Sequence, residues 1–255
     1  MDVSALAGLG LAVAALVVSL LIEGGNFASL INPSALVLIL GGTLGATIMS
    51  FPKRQAMSLV GWIVRALRGG EPNLREIIEA LVSFAEMARR EGLMSLEGKL
   101  STVGNPLVAH GLELVASALD IDQIRSILEG EVEEIQQHLD TGAAMLEAAG
   151  GYSPTMGIIG TVMGLIHVLG NISSPEKLAA SIATAFLATF YGISFANLFW
   201  LPLANKLKQM ARVQRSMHEI IIEGLVAVAQ GTNPRLVRDR LESLAGLREA
   251  RETKG

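Results

Sequence analysis

The sequence predicts an all-α integral membrane protein: four transmembrane helices joined to a helical cytoplasmic domain. Three observations predict it. Residues 3–22, 33–51, 152–169 and 178–205 contain no Asp, Glu, Lys or Arg. Charged residues make up only 17% of the chain, against roughly a quarter in ordinary soluble domains. Those charges gather in residues 53–147 and 206–254, which divides the chain into alternating apolar and charged blocks. The blocks set the expected organisation: transmembrane helices 1 and 2 in residues 1–51, a cytoplasmic helical domain in 52–150, transmembrane helices 3 and 4 in 151–205, and cytoplasmic C-terminal helices in 206–255.

A bilayer core of about 30 Å needs roughly 20 apolar helical residues, and residues 3–22 supply the first span. They lack the basic leader and small-x-small cleavage site of a signal peptide, so the segment is expected to be retained. The second span starts at Pro33, a residue suited to the first helical turn. Its glycines at 41, 42 and 45 would weaken a helix in water, but in lipid they permit close helix contact. Spans three and four cover about 152–170 and 178–204. An Asn-Ile-Ser-Ser-Pro run between them reads as a turn, which makes the pair a hairpin.

Basic residues near span ends set orientation. Lys53, Arg54, Arg65 and Arg68 follow span two, and Lys206, Lys208, Arg212 and Arg215 follow span four, whereas the two opposite loops hold only Lys177. Both termini and the region between spans two and three are therefore expected in the cytoplasm.

The charged blocks carry helical periodicity. Leu74, Ile77, Ile78, Leu81, Val82 and Ala85 follow i, i+3, i+4 spacing opposite Arg75, Glu76, Glu79 and Glu86. A second helix is expected over residues 107–119, and a third from Asp120 or Asp122, either of which can cap it. Between residues 113 and 147 stand nine acidic residues and one basic, Arg125, which reads as a solvated face or a surface for a basic partner. After span four the helix is expected to continue to about Val228, break at residues 230–234, and be followed by a short helix over 235–251.

Several function classes are excluded by what is missing. The chain has no cysteine and a formal net charge of −4, so thiol chemistry is impossible and nucleic-acid binding is disfavoured. The four histidines, 110, 138, 167 and 218, lack ligand spacing, and no Gly-rich phosphate loop is present. Neither an enzyme nor a cofactor or metal site is expected. A pathway for a proton or cation through lipid needs a group that binds and releases it, and no span has a carboxylate. What the spans offer are hydroxyls: Thr155, Thr161, Ser181, Thr184, Thr189 and Ser194, each sufficient on its own for helix packing. His167, near the outer end of span three, reads as an interfacial hydrogen-bonded histidine. Pro154 is placed to open a helix, whereas Pro202 falls inside a continuing one and should bend it.

Three stretches, in order and suitably spaced, resemble the MotA/PomA family, the A subunits of flagellar stator units, more distantly related to ExbB and TolQ. They are ARREGLMSLEGKL (88–100), GGYSPTMGIIGTVMGLIHVLG (150–170) and ATAFLATFYGISFANLFWLPLANKLK (183–208). The resemblance implies that Arg89, Arg90, Glu91 and Glu97 meet the rotor. It implies that Thr161 and Thr189 line the ion path, and that Pro154 and Pro202 are the two functional prolines. It further implies a pentamer in the bacterial inner membrane around a MotB/PomB-like single-span B subunit, whose membrane aspartate carries the ion. The rotor partner would be a ring protein of the FliG type, and the only small species handled would be the transported H+ or Na+. Protons are expected over sodium, although threonine at both positions also suits sodium-driven PomA/MotP-type relatives. An ExbB/TolQ-type energiser of envelope transport and a non-conducting membrane scaffold are the competing readings.

Overall fold

A computed structural model of the chain describes residues 3–70, 73–170 and 175–247, and among these the regular structure is helical throughout. The elements are α1 (Val3–Ile22), a 3-10 turn (Phe27–Leu30), α2 (Pro33–Ser50), α3 (Lys53–Ala56), α4 (Leu59–Arg68) and α5 (Leu74–Glu91). A 3-10 segment (Leu93–Thr102) leads to α6 (Pro106–Ala116), α7 (Ile121–Gly170), α8 (Pro175–Phe195), a π-helical turn (Ala196–Trp200), α9 (Leu201–Ala229) and α10 (Pro234–Leu244). Phe27–Ser50, Ile121–Gly170 and Leu178–Ala229 are each long and apolar enough to cross a membrane, and Leu6–Ile22 is a shorter apolar helix. Most of the turn expected between spans three and four, residues 171–174, lies outside the described residues, as does the end of the expected last helix.

Local chemistry explains four of the helix starts. Asn32, Asn105 and Asn233 each precede a proline, and each side chain accepts a backbone N–H of the first turn of α2, α6 and α10. The asparagine caps the free donors, and the proline occupies a position that needs none. Asp120 accepts from the Asp122 N–H at 2.9 Å and so starts α7. Helix α6 stops at Ala116, short of the residue 119 expected from periodicity, and Ala118 takes a left-handed φ of 52° just after it.

The chain forms two compact units, residues 1–70 with 139–209 and residues 71–138 with 210–255. Helices α7 and α9 contribute to both. In the second unit, α5, α6, the start of α7, the end of α9 and α10 close on a core that includes Leu81, Leu112, Leu128, Ile220 and Leu225. Arg238 of α10 donates two hydrogen bonds to Glu79 of α5, at 2.5 and 2.8 Å. His218 is 2% exposed and its Nδ1 has no partner among the described residues. Burial pushes its pKa below the ordinary value, against an opposing pull from Glu131.

The first unit differs from the sequence reading in three ways. Helices α3 and α4 and residues 139–150 belong with the apolar helices, where Trp62 of α4 lies against Gly142 of α7. The third apolar segment is not a separate helix, and Pro154 does not open one: it lies inside the fifty-residue α7. Proline deprives the Gly150 carbonyl of its helical donor, and packing holds the turn regardless. Gly150 sits under Leu201, whose Cδ2 would be 2.5 Å from an added Cβ, and the Ser153 hydroxyl donates to the Gly192 carbonyl at 2.9 Å. The third difference is the form of the distortion at Pro202. In place of a simple bend there is a π turn, in which the Leu201 N–H donates to the carbonyl of Ala196, five residues back. A π turn widens the helix by one residue, so the chain reaches a proline without breaking.

Candidate functional site

The site begins with a stripe of small residues. Ser153, Gly157, Gly160 and Gly164 recur at four- and three-residue intervals and so share one face of α7. They meet Ala185, Ala188, Thr189 and Gly192 of α8. A Cβ at Gly157 would lie 3.1 Å from both the Ala188 carbonyl oxygen and Thr189 Cα, and one at Gly192 would lie 2.7 Å from the Ser153 carbonyl oxygen. Backbone cannot move out of the way as a flexible side chain can, so glycine is required at 192, and a side chain at 157 would have to push the α8 backbone back. Without a hydrophobic drive between helices in lipid, such close approach is what holds a pair together.

Close approach brings polar groups into one place. The Thr161 and Thr189 hydroxyls are hydrogen-bonded to each other across the two helices. Thr161 also donates to Gly157 O at 3.1 Å and reaches Ala185 O at 3.4 Å, and Thr189 reaches Gly157 O at 3.4 Å. Two hydroxyls and two carbonyl oxygens therefore converge, both hydroxyls partly buried, with no Asp, Glu, Lys or Arg in residues 152–169 or 178–205. Such a cluster can pass a proton along hydroxyls or offer oxygens to a cation. It cannot by itself store a charge.

Towards the α2 start lies a cavity of about 320 Å³, lined by Asn32, Gly164, His167, Ser181 and Thr184 among others. Asn32 donates to the Thr184 hydroxyl at 2.9 Å, and the Tyr191 hydroxyl accepts from the Asn32 N–H at 2.9 Å while donating to Leu30 O. Of the remaining hydroxyls, Thr155 is turned back onto Tyr152 O at 2.7 Å and exposed, so it takes no part in the cluster. Ser153, the carbonyls of Gly157 and Ala185, and the Asn32–Tyr191 clamp are missing from the sequence reading. The four-three spacing of small residues 153, 157, 160 and 164 is the signal that would have found the first two.

Pro154 and Pro202 flank this site from α7 and α9. Pro154 is partly exposed and Pro202 exposed, and the turns beside them touch where Gly150 lies against Leu201 and Trp200. The other group of expected residues lies in the second unit. Arg89, Arg90 and Glu91 occupy the last turn of α5, and Glu97 lies on the following 3-10 segment, all four exposed. Gly92, at a φ of 85°, ends the helix with its N–H on the Ala88 carbonyl, and Leu96, fully buried, pins the segment to the core. The two arginines sit where the helix dipole favours cations, and none of the four makes an ion pair among the described residues. Their charges are presented to solvent.

The sequence pattern of the MotA/TolQ/ExbB proton channel family matches residues 99–220, and that of the motility protein A N-terminal region matches residues 6–92. Motility protein A of Bacillus subtilis is 34% identical over 94% of this chain and 90% of its own length. The chain belongs to the motility protein A family. Two solved structures agree with that assignment. The structure of C. jejuni MotAB superposes with a TM-score of 0.91 at 29% identity, covering 96% of both chains. The flagellar MotAB stator complex of Bacillus subtilis gives 0.86 at 32% identity, covering 92% of this chain and 93% of that one. Membership of the motility protein A family gives the helices their setting: they are the apolar helices of a membrane protein.

Proposed function

We propose that the chain is the A-type subunit of a flagellar stator. Four helices would cross the inner membrane: α1, α2, the C-terminal part of α7, and α8 with its π turn. Both termini and the second unit would face the cytoplasm. The observation that carries the reading is the hydroxyl and carbonyl cluster between α7 and α8 in a set of spans without a carboxylate. A wall of this kind needs an ion carrier from another chain, and a single-span B subunit with a membrane aspartate supplies it. Five copies of the A chain around a B-subunit dimer would place Thr161 and Thr189 of each copy beside the carrier in turn.

The ion is a proton in this reading. Two hydroxyls already bonded to each other form a relay, and the matched family is one of proton channels. One observation favours sodium instead: four oxygens, of Thr161, Thr189, Gly157 and Ala185, converge on one spot. Passage of the ion would turn the ring of A chains, with the π turn and Pro202 transmitting the step. Arg89, Arg90, Glu91 and Glu97 would push on the rotor, each contact weak and screened by salt.

The experiment is co-reconstitution with the B subunit into liposomes, with pH and sodium gradients imposed separately. Thr161→Val with Thr189→Val is expected to cut the proton flux at least about a hundredfold, the lower end of what one positioned proton-transfer group contributes, while the complex still assembles. Undiminished flux in the double variant would remove the cluster from the pathway, and flux driven by sodium alone would select the second ion.

A further inference from the structure

Helix α4 carries three faces. Leu59, Trp62 and Ala66 are buried against the first unit. Arg65 and Arg68 lie exposed on a second face, and Val60 and Val64 form a third, with Val60 70% exposed. Met57, just before the helix, is 77% exposed. A helix lying in water has no use for an exposed apolar stripe beside a basic one, whereas a helix lying in a headgroup layer uses both.

On the helix wheel Leu67 continues the Val60 and Val64 stripe, and it lines a cleft of about 270 Å³. The other walls include Gly8, Leu9 and Ala12 of α1, Phe199 of the π turn, and Lys206. Pro202 also lines it. Because proline has no N–H to give, a carbonyl of the adjoining turn lacks its helical donor. The cleft is thus mostly apolar, with the Asn197 amide and the Lys206 ammonium its polar walls, and the stripe leading to it is flanked by guanidinium groups. That is the charge and shape of an anionic amphiphile.

We propose that the cleft between α1, α4 and the π turn is a binding site for an anionic phospholipid. One acyl chain occupies the slot beside Leu9, Leu67 and Phe199, and the phosphate is held by Lys206, with Arg68 close by in sequence to Leu67. The proposal rests on the membrane orientation given above, which puts this end of the spans in the negatively charged cytoplasmic leaflet. Its consequence is that a lipid lies against the helix distortion at Pro202, where it resists changes in the π turn.

The test uses the full complex with its B subunit, purified in detergent, stripped of lipid, and titrated with dioleoyl phosphatidylglycerol or dioleoyl phosphatidylcholine under native mass spectrometry. The wild type is expected to retain phosphatidylglycerol preferentially, and Lys206→Gln to lower that retention about fivefold, the effect of one basic group at a charged membrane surface. Gly8→Leu fills the slot without a clash, because nothing lies within 4 Å of an added Cβ there, and it is expected to abolish retention of either lipid. Gly10→Leu, equally unobstructed and outside the cleft, should leave retention unchanged and so controls for damage to α1. Equal retention of the two lipids, full retention in Gly8→Leu, or a cysteine at position 60 crosslinking to a second copy would each overturn the proposal. Partner-dependent proton flux, measured after the same variants are reconstituted into liposomes, reports separately on the stator reading, since that reading survives if only lipid retention fails.

Discussion

The contact between α7 and α8 is made of Ser153, Gly157, Gly160 and Gly164 against Ala185, Ala188, Thr189 and Gly192, whereas the second unit is closed by Leu81, Leu112, Leu128, Ile220 and Leu225. One interface is built by removing side chains and the other by burying large ones. The difference follows from the solvent. In water the gain comes from taking apolar area out of contact with solvent. In lipid that gain is absent, so backbones approach closely and polar groups bond across the gap. The same economy brings Thr161 and Thr189 together, so the packing of the first unit and its candidate chemistry are one arrangement.

If the contrast is right, its largest test lies in the second unit. Leu112→Ala, at a fully buried position, is expected to cost about 3 kcal/mol, read as a lowered thermal midpoint of the purified complex. Ile166→Ala, with the native side chain 62% exposed on α7, is expected to cost little, because lipid replaces what it touched. The rule reverses at the hairpin. Gly192→Val adds atoms where the Ser153 carbonyl oxygen stands 2.7 Å from an added Cβ, and is expected to cost about 2 kcal/mol and to abolish ion flux. A Gly192→Val variant that conducts normally would mean the close approach is dispensable.

A smaller effect comes from His218. Burial holds its pKa below the ordinary value, so the unfolded chain takes up a proton near pH 6.5 that the folded chain refuses. Stability is therefore full above that pH and falls as the pH is lowered through it, by at most about 1.4 kcal/mol per pH unit. His218→Met is expected to flatten the dependence of the thermal midpoint between pH 7.5 and 5.5. An unchanged slope would assign the acid sensitivity elsewhere.

The sequence reading succeeded where one solvent acts alone. The bounds of α1 and the Pro33 start of α2 were legible because charge-free length and a proline suited to the first helical turn mark them. The stripe of α5 was legible because burial in water imposes a period. It failed where a helix crosses from one environment to another. Gly150, Gly151 and Pro154 punctuate helices in water, so the fifty-residue α7 read as two helices, yet packing against Leu201, Trp200 and Gly192 keeps it whole. The π turn at Ala196–Trp200 had no residue signature beyond Pro202 itself. The assignment of α4 to the apolar unit depended on Trp62 meeting Gly142, a contact between residues eighty positions apart that periodicity does not report. Of the candidate site, the two threonines were found through resemblance, while the carbonyls they share follow only from the closeness of the two backbones.

That spans with hydroxyls and no carboxylate form half of a channel is tested most directly by proton flux in liposomes. The preparations to compare are this chain alone, the chain with its B subunit, and the chain with a B subunit whose membrane aspartate is replaced by asparagine. Flux is predicted only for the complete pair with the aspartate intact. Flux through this chain alone, or through the pair lacking the aspartate, would contradict the account.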